Sequence, residues 1–120
     1  MIPTTAQTYV YRAHVISAYD GDTCKVIVDL GFGVSKTMKI RLHGLDAPEI
    51  RGKTKKEGIA SRDFLRKLIL DKDVLIETIK NGKGKYGRYI AKIWLNIDND
   101  VQCCVNDLLI TEGHAIKKVY

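Results

Sequence analysis

The sequence has no long apolar run. Its longest apolar stretches, residues 26–28 and 68–70, are far shorter than the about 20 residues that a membrane-spanning helix needs. The first seven residues contain neither a basic nor an apolar segment, so no signal peptide is visible. We therefore expect a cytoplasmic protein with no membrane partner. A secreted protein from which a leader had been removed would look the same, so secretion stays open.

Cysteine is also scarce. The chain contains three, Cys24, Cys103 and Cys104, and two of them are adjacent. An odd number with no paired Cys or His spacing excludes a disulfide framework and a zinc-binding motif. We expect three reduced thiols that are partly buried, which is the usual state of free cysteine.

Positive charge, in contrast, is abundant and unevenly placed. The net charge is +6, but residues 51–92 alone hold thirteen Lys or Arg against five Asp or Glu, a local balance of +8. Residues 1–50 balance to 0 and residues 93–120 to −2. A basic middle indicates a polyanionic partner, since phosphate backbones bind through counterion release. Basic faces that are merely solvated are also common, so charge alone leaves both interpretations open.

The size and patterning predict a single domain over residues 1–120. A chain of this length with 45% hydrophobic residues can bury one core. Alternating apolar residues and turn signals predict five strands. These are residues 9–18, 24–30, 37–42, 74–79 and 89–95. We expect Trp94 of the last strand to lie in the core, because of its strand context.

Two helices complete the prediction. Thr54 and Glu57 form a candidate capping box, followed by a helix whose apolar residues share one face. A short C-terminal helix over residues 101–112 ends at Gly113, a suitable residue after a helix end. The predicted fold class is mainly β with helices (α+β). Five strands with one helix after strand three and a short C-terminal helix suit an OB-type β-barrel.

Asp20, Gly21, Asp22 and Thr23 place two carboxylates at a tight turn. A calcium-binding EF-hand loop is excluded, because its twelfth position would be Gly31 where a bidentate Glu is needed. A structural turn, in which Asp bonds to the local backbone, is the ordinary interpretation.

The segment from Arg41 to Glu49 places an arginine at the end of an apolar strand, with Asp46 and Glu49 five and eight residues later. Pro48 stiffens the loop between these carboxylates and biases Ala47 towards an extended conformation. A surface ion pair between Arg41 and either carboxylate is the simpler interpretation.

A third segment, Lys85, Tyr86, Gly87 and Arg88, precedes the fifth strand. Its donors could bind phosphate, with the glycine allowing close approach, although a basic turn is often only a solvated loop.

Together the three segments contain what phosphodiester hydrolysis requires. Two carboxylates can hold a hard divalent cation through oxygen ligands. Two arginines can bind phosphate oxygens and neutralise charge that develops at phosphorus. A further carboxylate can orient or deprotonate water.

These segments resemble the staphylococcal nuclease (thermonuclease) family. Its motifs occur in the family's order as DGDT at residues 20–23, RLHGLDAPE at residues 41–49 and KYGR at residues 85–88. Residues 105–115, VNDLLITEGHA, resemble the family's VNxxLxxxGxA helix. The resemblance covers residues 9–120 and implies a calcium-dependent endonuclease, a phosphodiesterase acting on single-stranded DNA and RNA with little sequence preference. We expect it to be a monomer.

The resemblance also implies a role for each matching residue. Asp22 and Asp46 would be the Ca²⁺ carboxylate ligands, with the Ala47 carbonyl as a further ligand and Asp20 in an outer position. Glu49 would serve the attacking water as general base. The other implied residues are the phosphate-binding catalytic Arg41 and Arg88, and the substrate-binding Lys85 and Tyr86.

Two other functions compete with the nuclease. A catalytically inactive nucleic-acid-binding OB-type module would keep the barrel without the chemistry, and fold alone does not separate the two. A basic structural domain would leave the arginines and carboxylates unexplained. Retention of all five of Asp22, Arg41, Asp46, Glu49 and Arg88 favours the enzyme.

Overall fold

A computed structural model describes residues 9–83, 89–98 and 101–118 of the chain. Five long strands form most of it, and each overlaps one of the predicted strands. They are β1 (Val10–Asp20), β2 (Thr23–Gly31), β3 (Val34–Leu42), β5 (Asp73–Lys83) and β6 (Tyr89–Asp98). Between β3 and β5 lie a short strand β4 (Leu45–Asp46), a 3₁₀ turn (Gly52–Thr54) and helix α1 (Lys55–Ile69).

The five long strands close into a barrel. The sheet order is β3, β2, β1, β5, β6, and neighbouring strands in this order are antiparallel. A parallel pairing of β3 with β6 closes the ring, with Ile40 opposite Tyr89 and Arg41 opposite Ile90. The predicted α+β barrel is therefore confirmed, with the helix after the third strand and a short helix near the C-terminus.

The barrel interior follows the alternation of the strands. Cys24, Val26 and Val28 of β2 are buried while Ile27 and Asp29 between and beyond them are exposed. One face of a pleated strand points inward at every second residue, so one apolar set from each strand fills the core. In β2 this alternation holds up to Val28, whereas Leu30 is exposed near the hairpin tip.

Helix α1 covers the barrel with a stripe of residues spaced three and four apart. Gly58, Ser61, Leu65 and Ile69 are buried on this stripe. The predicted capping box is wrong: Thr54 occupies the N-cap position but makes no side-chain cap hydrogen bond. Its hydroxyl donates instead to the Glu49 carbonyl at 2.8 Å. The hydroxyl is therefore not used to cap the backbone N–H groups at the start of α1.

The C-terminal region differs from the prediction at its start. Residues 101–104 form strand β7 (Val101–Cys104), which pairs with β6, and helix α2 (Val105–Thr111) begins only afterwards. The part of β6 beyond its pairing with β3 offers backbone partners to the segment Val-Gln-Cys-Cys, and that pairing overrides the helical signal. Gly113 follows the helix with φ of +79°, as predicted. The last strand, β8 (Ile116–Lys117), pairs with β4.

Trp94 is not a core residue, contrary to the prediction. It is half-buried, and its indole N–H donates to Glu77 Oε1 at 2.9 Å, whereas its neighbour Ile93 is fully buried. Strand alternation sends the two side chains to opposite faces, and the polar indole nitrogen suits the outer one. The three cysteines are free thiols, as expected. In the described ranges, no helix is both long and apolar enough to span a bilayer.

Candidate active site

The turn between β1 and β2 carries the first carboxylates. Asp20 ends β1, and its Oδ1 accepts the Asp22 backbone N–H at 3.2 Å. Asp22 Oδ1 accepts the Thr23 hydroxyl at 3.1 Å, and the Asp22 carbonyl accepts Leu42 N–H at 2.8 Å. The turn is thus tied to the end of β3. It leaves the Asp22 side chain nearly buried, 12% exposed.

Gly21 is required by space rather than by backbone conformation. A Cβ at this position would lie 1.9 Å from Ser61 Oγ and 2.8 Å from the Ala47 Cβ. Non-bonded contacts this short essentially never occur for a Cβ atom. The turn therefore packs directly against α1 and against the loop after β3, which brings three distant segments of the chain together.

Arg41 joins the two aspartates. It lies on β3 opposite Thr23 and is 13% exposed. Its Nη1 lies 3.0 Å from Asp22 Oδ2, and its Nη2 donates to Asp46 Oδ1 and, at 3.2 Å, to the Leu45 carbonyl. The backbone N–H of Ala47 donates to Asp22 Oδ2 at 3.0 Å. One guanidinium therefore organises both predicted metal ligands and the loop between them.

The Nη1 contact is incomplete. Although this atom is close to Asp22 Oδ2, its direction does not satisfy hydrogen-bond geometry. It is buried with no acceptor among the residues that the structure describes. Buried donors nearly always have acceptors, so Arg41 keeps hydrogen-bonding capacity for a group that approaches the site.

Asp20 and Asp22 influence each other's protonation. Burial raises the pKa of Asp20 to about 6, helped by its hydrogen bond to Asp22 and by the charge of that carboxylate. Burial would also raise the pKa of Asp22, but its hydrogen bonds with Asp20 and Ala47 N–H, together with the Arg41 charge, lower it overall. Asp22 is consequently the stronger acid of the pair and stays ionised to lower pH than Asp20.

The loop after β4 presents Glu49. Its carbonyl accepts the Thr54 hydroxyl, and the Glu49–Ile50 backbone runs against Gly58 of α1. A Cβ at Gly58 would lie 2.1 Å from the Glu49 carbonyl oxygen. The backbone is thus fixed while the side chain is exposed, and no contact within the described part of the chain holds its carboxylate.

Several positioning residues were not identified from the sequence as part of the site. Asn106 of α2 is buried; its Oδ1 accepts Ile93 N–H at 3.0 Å, and its Nδ2 donates to the carbonyls of His43 at 2.9 Å and Ala91 at 3.2 Å. It thereby links α2 and β6 to the residue that follows β3. Arg66 of α1 donates to the Ala18 carbonyl at 2.9 and 3.2 Å, just before the Asp20 turn. The only signal for Asn106 was its place in the family-like helix motif.

The donor set fits a hard, oxygen-preferring cation rather than zinc. In residues 9–83, 89–98 and 101–118, no cluster of three or more His, Cys, Asp or Glu side chains could hold a metal. The predicted ligands are two carboxylates and one main-chain carbonyl. A cation there would complete its shell with water or phosphate oxygens, which Ca²⁺ accepts. Asp22 and Asp46 both contact the Arg41 guanidinium, so one positively charged group already lies against both carboxylates.

The structure brings together Asp22, Arg41, Asp46 and Ala47, with Asp20 beside them and Glu49 on the same loop. The contact between Arg41 and Asp46 also satisfies the simpler ion-pair interpretation. Lys85, Tyr86 and Arg88 lie outside the described residues. Tyr89, the next residue after Arg88, pairs with Ile40 beside Arg41. A further cation, Lys118 Nζ, lies 3.7 Å from Asp46 Oδ1.

Comparison with known proteins agrees with this geometry. Residues 39–120 match the family of staphylococcal nuclease homologues. The chain is 33% identical over 117 residues to a thermonuclease of Staphylococcus hyicus, covering 95% of this chain and 61% of the relative. It is 33% identical over 104 residues to a thermonuclease of Staphylococcus intermedius, covering 84% and 56%. An uncharacterised protein of Methanocaldococcus jannaschii is 30% identical over 126 residues, with 88% and 58% covered. The chain therefore spans less than two thirds of each of these relatives.

Proposed function

The chain belongs to the staphylococcal nuclease homologue family, and from this premise we propose that it is a nuclease hydrolysing phosphodiester bonds of DNA and RNA. The observation that carries the proposal is the Arg41 guanidinium, which is held by Asp22 and Asp46 and whose Nη1 has no well-aligned acceptor among the residues that the structure describes. A donor that the two carboxylates do not fully use can turn to a phosphate oxygen.

The proposed roles of the two arginines follow from phosphate chemistry. Arg41 binds the scissile phosphate and stabilises the charge that develops on its oxygens during attack. Arg88 is proposed to act with it on the same phosphate. Lys85 and Tyr86 bind a neighbouring phosphate of the substrate. These last three assignments come from the family resemblance.

The proposed cofactor is Ca²⁺, held by Asp22, Asp46 and the Ala47 carbonyl. When bound, it would supply positive charge beside the scissile phosphate and favour ionisation of water. Asp22 stays ionised through the Ala47 N–H and Arg41, and it keeps the loop after β4 against the β1–β2 turn. Neutralisation of the two carboxylates would release the guanidinium towards phosphate.

Glu49 is the proposed general base. It accepts a proton from the attacking water, while its backbone is fixed by Thr54 and Gly58. Its exposed side chain is free to reach a water molecule at a bound phosphate.

The proposed substrate is a single strand that is cleaved with weak sequence preference; both assignments come from the family resemblance. We further propose that the protein acts as a single-domain monomer in the cytoplasm.

The alternative function is a binding module that no longer cleaves. The exposed Glu49 carboxylate favours it, since no contact in the described residues orients this group before substrate binds. A binder would retain affinity for single-stranded DNA and lack turnover under every metal condition.

The test is digestion of single-stranded DNA with calcium, with magnesium and with excess chelator. We expect cleavage with calcium and none with chelator. Calcium with a nucleotide, at 100 times the dissociation constant, should stabilise the fold by about 2.7 kcal/mol. Full cleavage in chelator contradicts the metal assignment, and tight binding without any cleavage contradicts the enzyme.

A further inference from the structure

The basic segment, residues 51–56, carries positive charges that have no role in the proposed chemistry. It contains four cations, Arg51, Lys53, Lys55 and Lys56, and no acidic residue. Every residue of the segment is exposed. It runs through the 3₁₀ turn into the first turn of α1, where Glu57 is the only acidic residue.

This placement opposes the helix dipole. The N-terminus of a helix carries partial positive charge and favours acidic side chains, whereas cations belong at its C-terminus. The last turn of α1 follows the rule with Arg66 and Lys67, but Lys55 and Lys56 stand at the wrong end. Thr54 gives no compensating side-chain cap. A local electrostatic conflict of this kind is typical of a functional surface.

The basic segment also lies directly beside the proposed active site. It begins two residues after Glu49, and the Thr54 hydroxyl inside it donates to the Glu49 carbonyl. Gly58, one turn further along, packs on the Glu49–Ile50 backbone. A chain bound at Arg41 and Glu49 would therefore reach these cations with its next phosphates.

We propose that the basic segment binds the phosphates of a single nucleic-acid strand that extends beyond the scissile bond. This rests on the proposed function and narrows its substrate to strands of several nucleotides, rather than dinucleotides. The cations supply affinity through counterion release and make no contact that identifies a base. The unfavourable position at the helix N-terminus is relieved when phosphate binds, because anions are stabilised there.

The experiment compares two charge-matched triple variants. The first carries Lys53→Gln, Lys55→Gln and Lys56→Gln in the basic segment. The control carries Lys36→Gln, Lys67→Gln and Lys72→Gln, three exposed residues outside the basic segment. Lys67 lies about 18 Å from Lys55 along α1, at about 1.5 Å per residue. Both variants and the parent are assayed for cleavage of a dinucleotide and a 16-nucleotide DNA strand. Binding of the 16-mer is measured at several salt concentrations in calcium with Glu49→Gln added.

We expect the first variant to lose about tenfold or more in kcat/KM on the 16-mer at low salt, and to change less than about twofold on the dinucleotide. The slope of log affinity against log salt should decrease by about 2, since each phosphate contact on a single strand contributes about 0.7. Its Tm should stay equal or rise, because cations at a helix N-terminus are removed. The control should keep both activities and the slope, and its Tm should fall as Lys67 is lost from the favourable end.

The proposal is overturned by an unchanged salt slope in the first variant, by an equal loss on both substrates, or by equal losses in both variants. Failure of the proposed function is separate. A parent that cleaves neither substrate refutes the nuclease, while the binding slopes still decide whether the strand crosses the basic segment.

Discussion

Gly58→Ala tests whether α1 positions the Glu49 loop. In an ordinary helix this change is stabilising by about 0.8–1 kcal/mol. Here the new Cβ would lie 2.1 Å from the Glu49 carbonyl oxygen and 2.4 Å from its carbon, whereas ordinary contact begins at 3.4 Å. The loop or the helix must therefore move by about 1.3 Å. Overpacking of this kind costs about 1–3 kcal/mol, so we expect a net destabilisation of about 0–2 kcal/mol.

The effect on activity should exceed the effect on stability. A displacement of about 1 Å in a reacting group can cost about 10²-fold in rate. The assays are urea unfolding and the initial rate of DNA cleavage in calcium. Ala60→Gly is the control, because Ala60 is exposed on α1; it should lower stability by about 1 kcal/mol and leave cleavage unchanged. A Gly58→Ala protein that is more stable than the parent and cleaves at the parent's rate would refute the proposed packing role.

Three further predictions follow from individual contacts. Arg41→Lys should lower cleavage by about 10²-fold or more, since an ammonium lacks the planar two-point contact with phosphate; a near-normal rate in folded protein would reduce Arg41 to a structural ion pair. Asn106→Ala should cost about 2–5 kcal/mol in urea unfolding, because Ile93 N–H and the His43 carbonyl lose their buried partner; a cost below about 1 kcal/mol would contradict this role. Hydrogen bonds to Asp73 and then Asp71 raise the pKa of His14. The stabilisation that protonated His14 gives the fold is therefore fully present below its pKa in the unfolded chain, about 6.5, and is lost as pH rises through its higher pKa in the folded protein. His14→Gln should consequently destabilise the protein more at pH 5.5 than at pH 9. An equal effect at both pH values would contradict the charged pairing.

The sequence predicted the barrel because strand alternation is a local property. Cys24, Val26 and Val28 mark the inward face without any knowledge of their partners. The β7 strand was missed for the opposite reason, since residues 101–104 become a strand only by pairing with the part of β6 that extends beyond β3. Trp94 shows a similar limit: its strand was predicted correctly, but which face it occupies depends on the barrel as a whole.

The candidate site divides in the same way. Asp22, Arg41, Asp46 and Glu49 could be named because they lie in short contiguous motifs that resemble a known family. The contact of Ala47 N–H with Asp22, 25 residues apart, required the folded chain. The need for glycine at Gly21 and Gly58 also became visible only in the folded chain. A glycine in the sequence does not show which atoms pack against it.

The most direct test of the central claim is to separate hydrolysis from binding at Glu49. Glu49→Gln keeps the side chain's shape and removes its negative charge and basicity. On protein shown to be folded, the initial rate of single-stranded DNA cleavage and the calcium-dependent affinity are measured at two salt concentrations. We predict a fall in turnover of about 10²-fold or more, with affinity equal or slightly tighter because a repulsive charge near phosphate is gone. Cleavage by Glu49→Gln at the parent's rate would contradict the claim that this loop carries the chemistry.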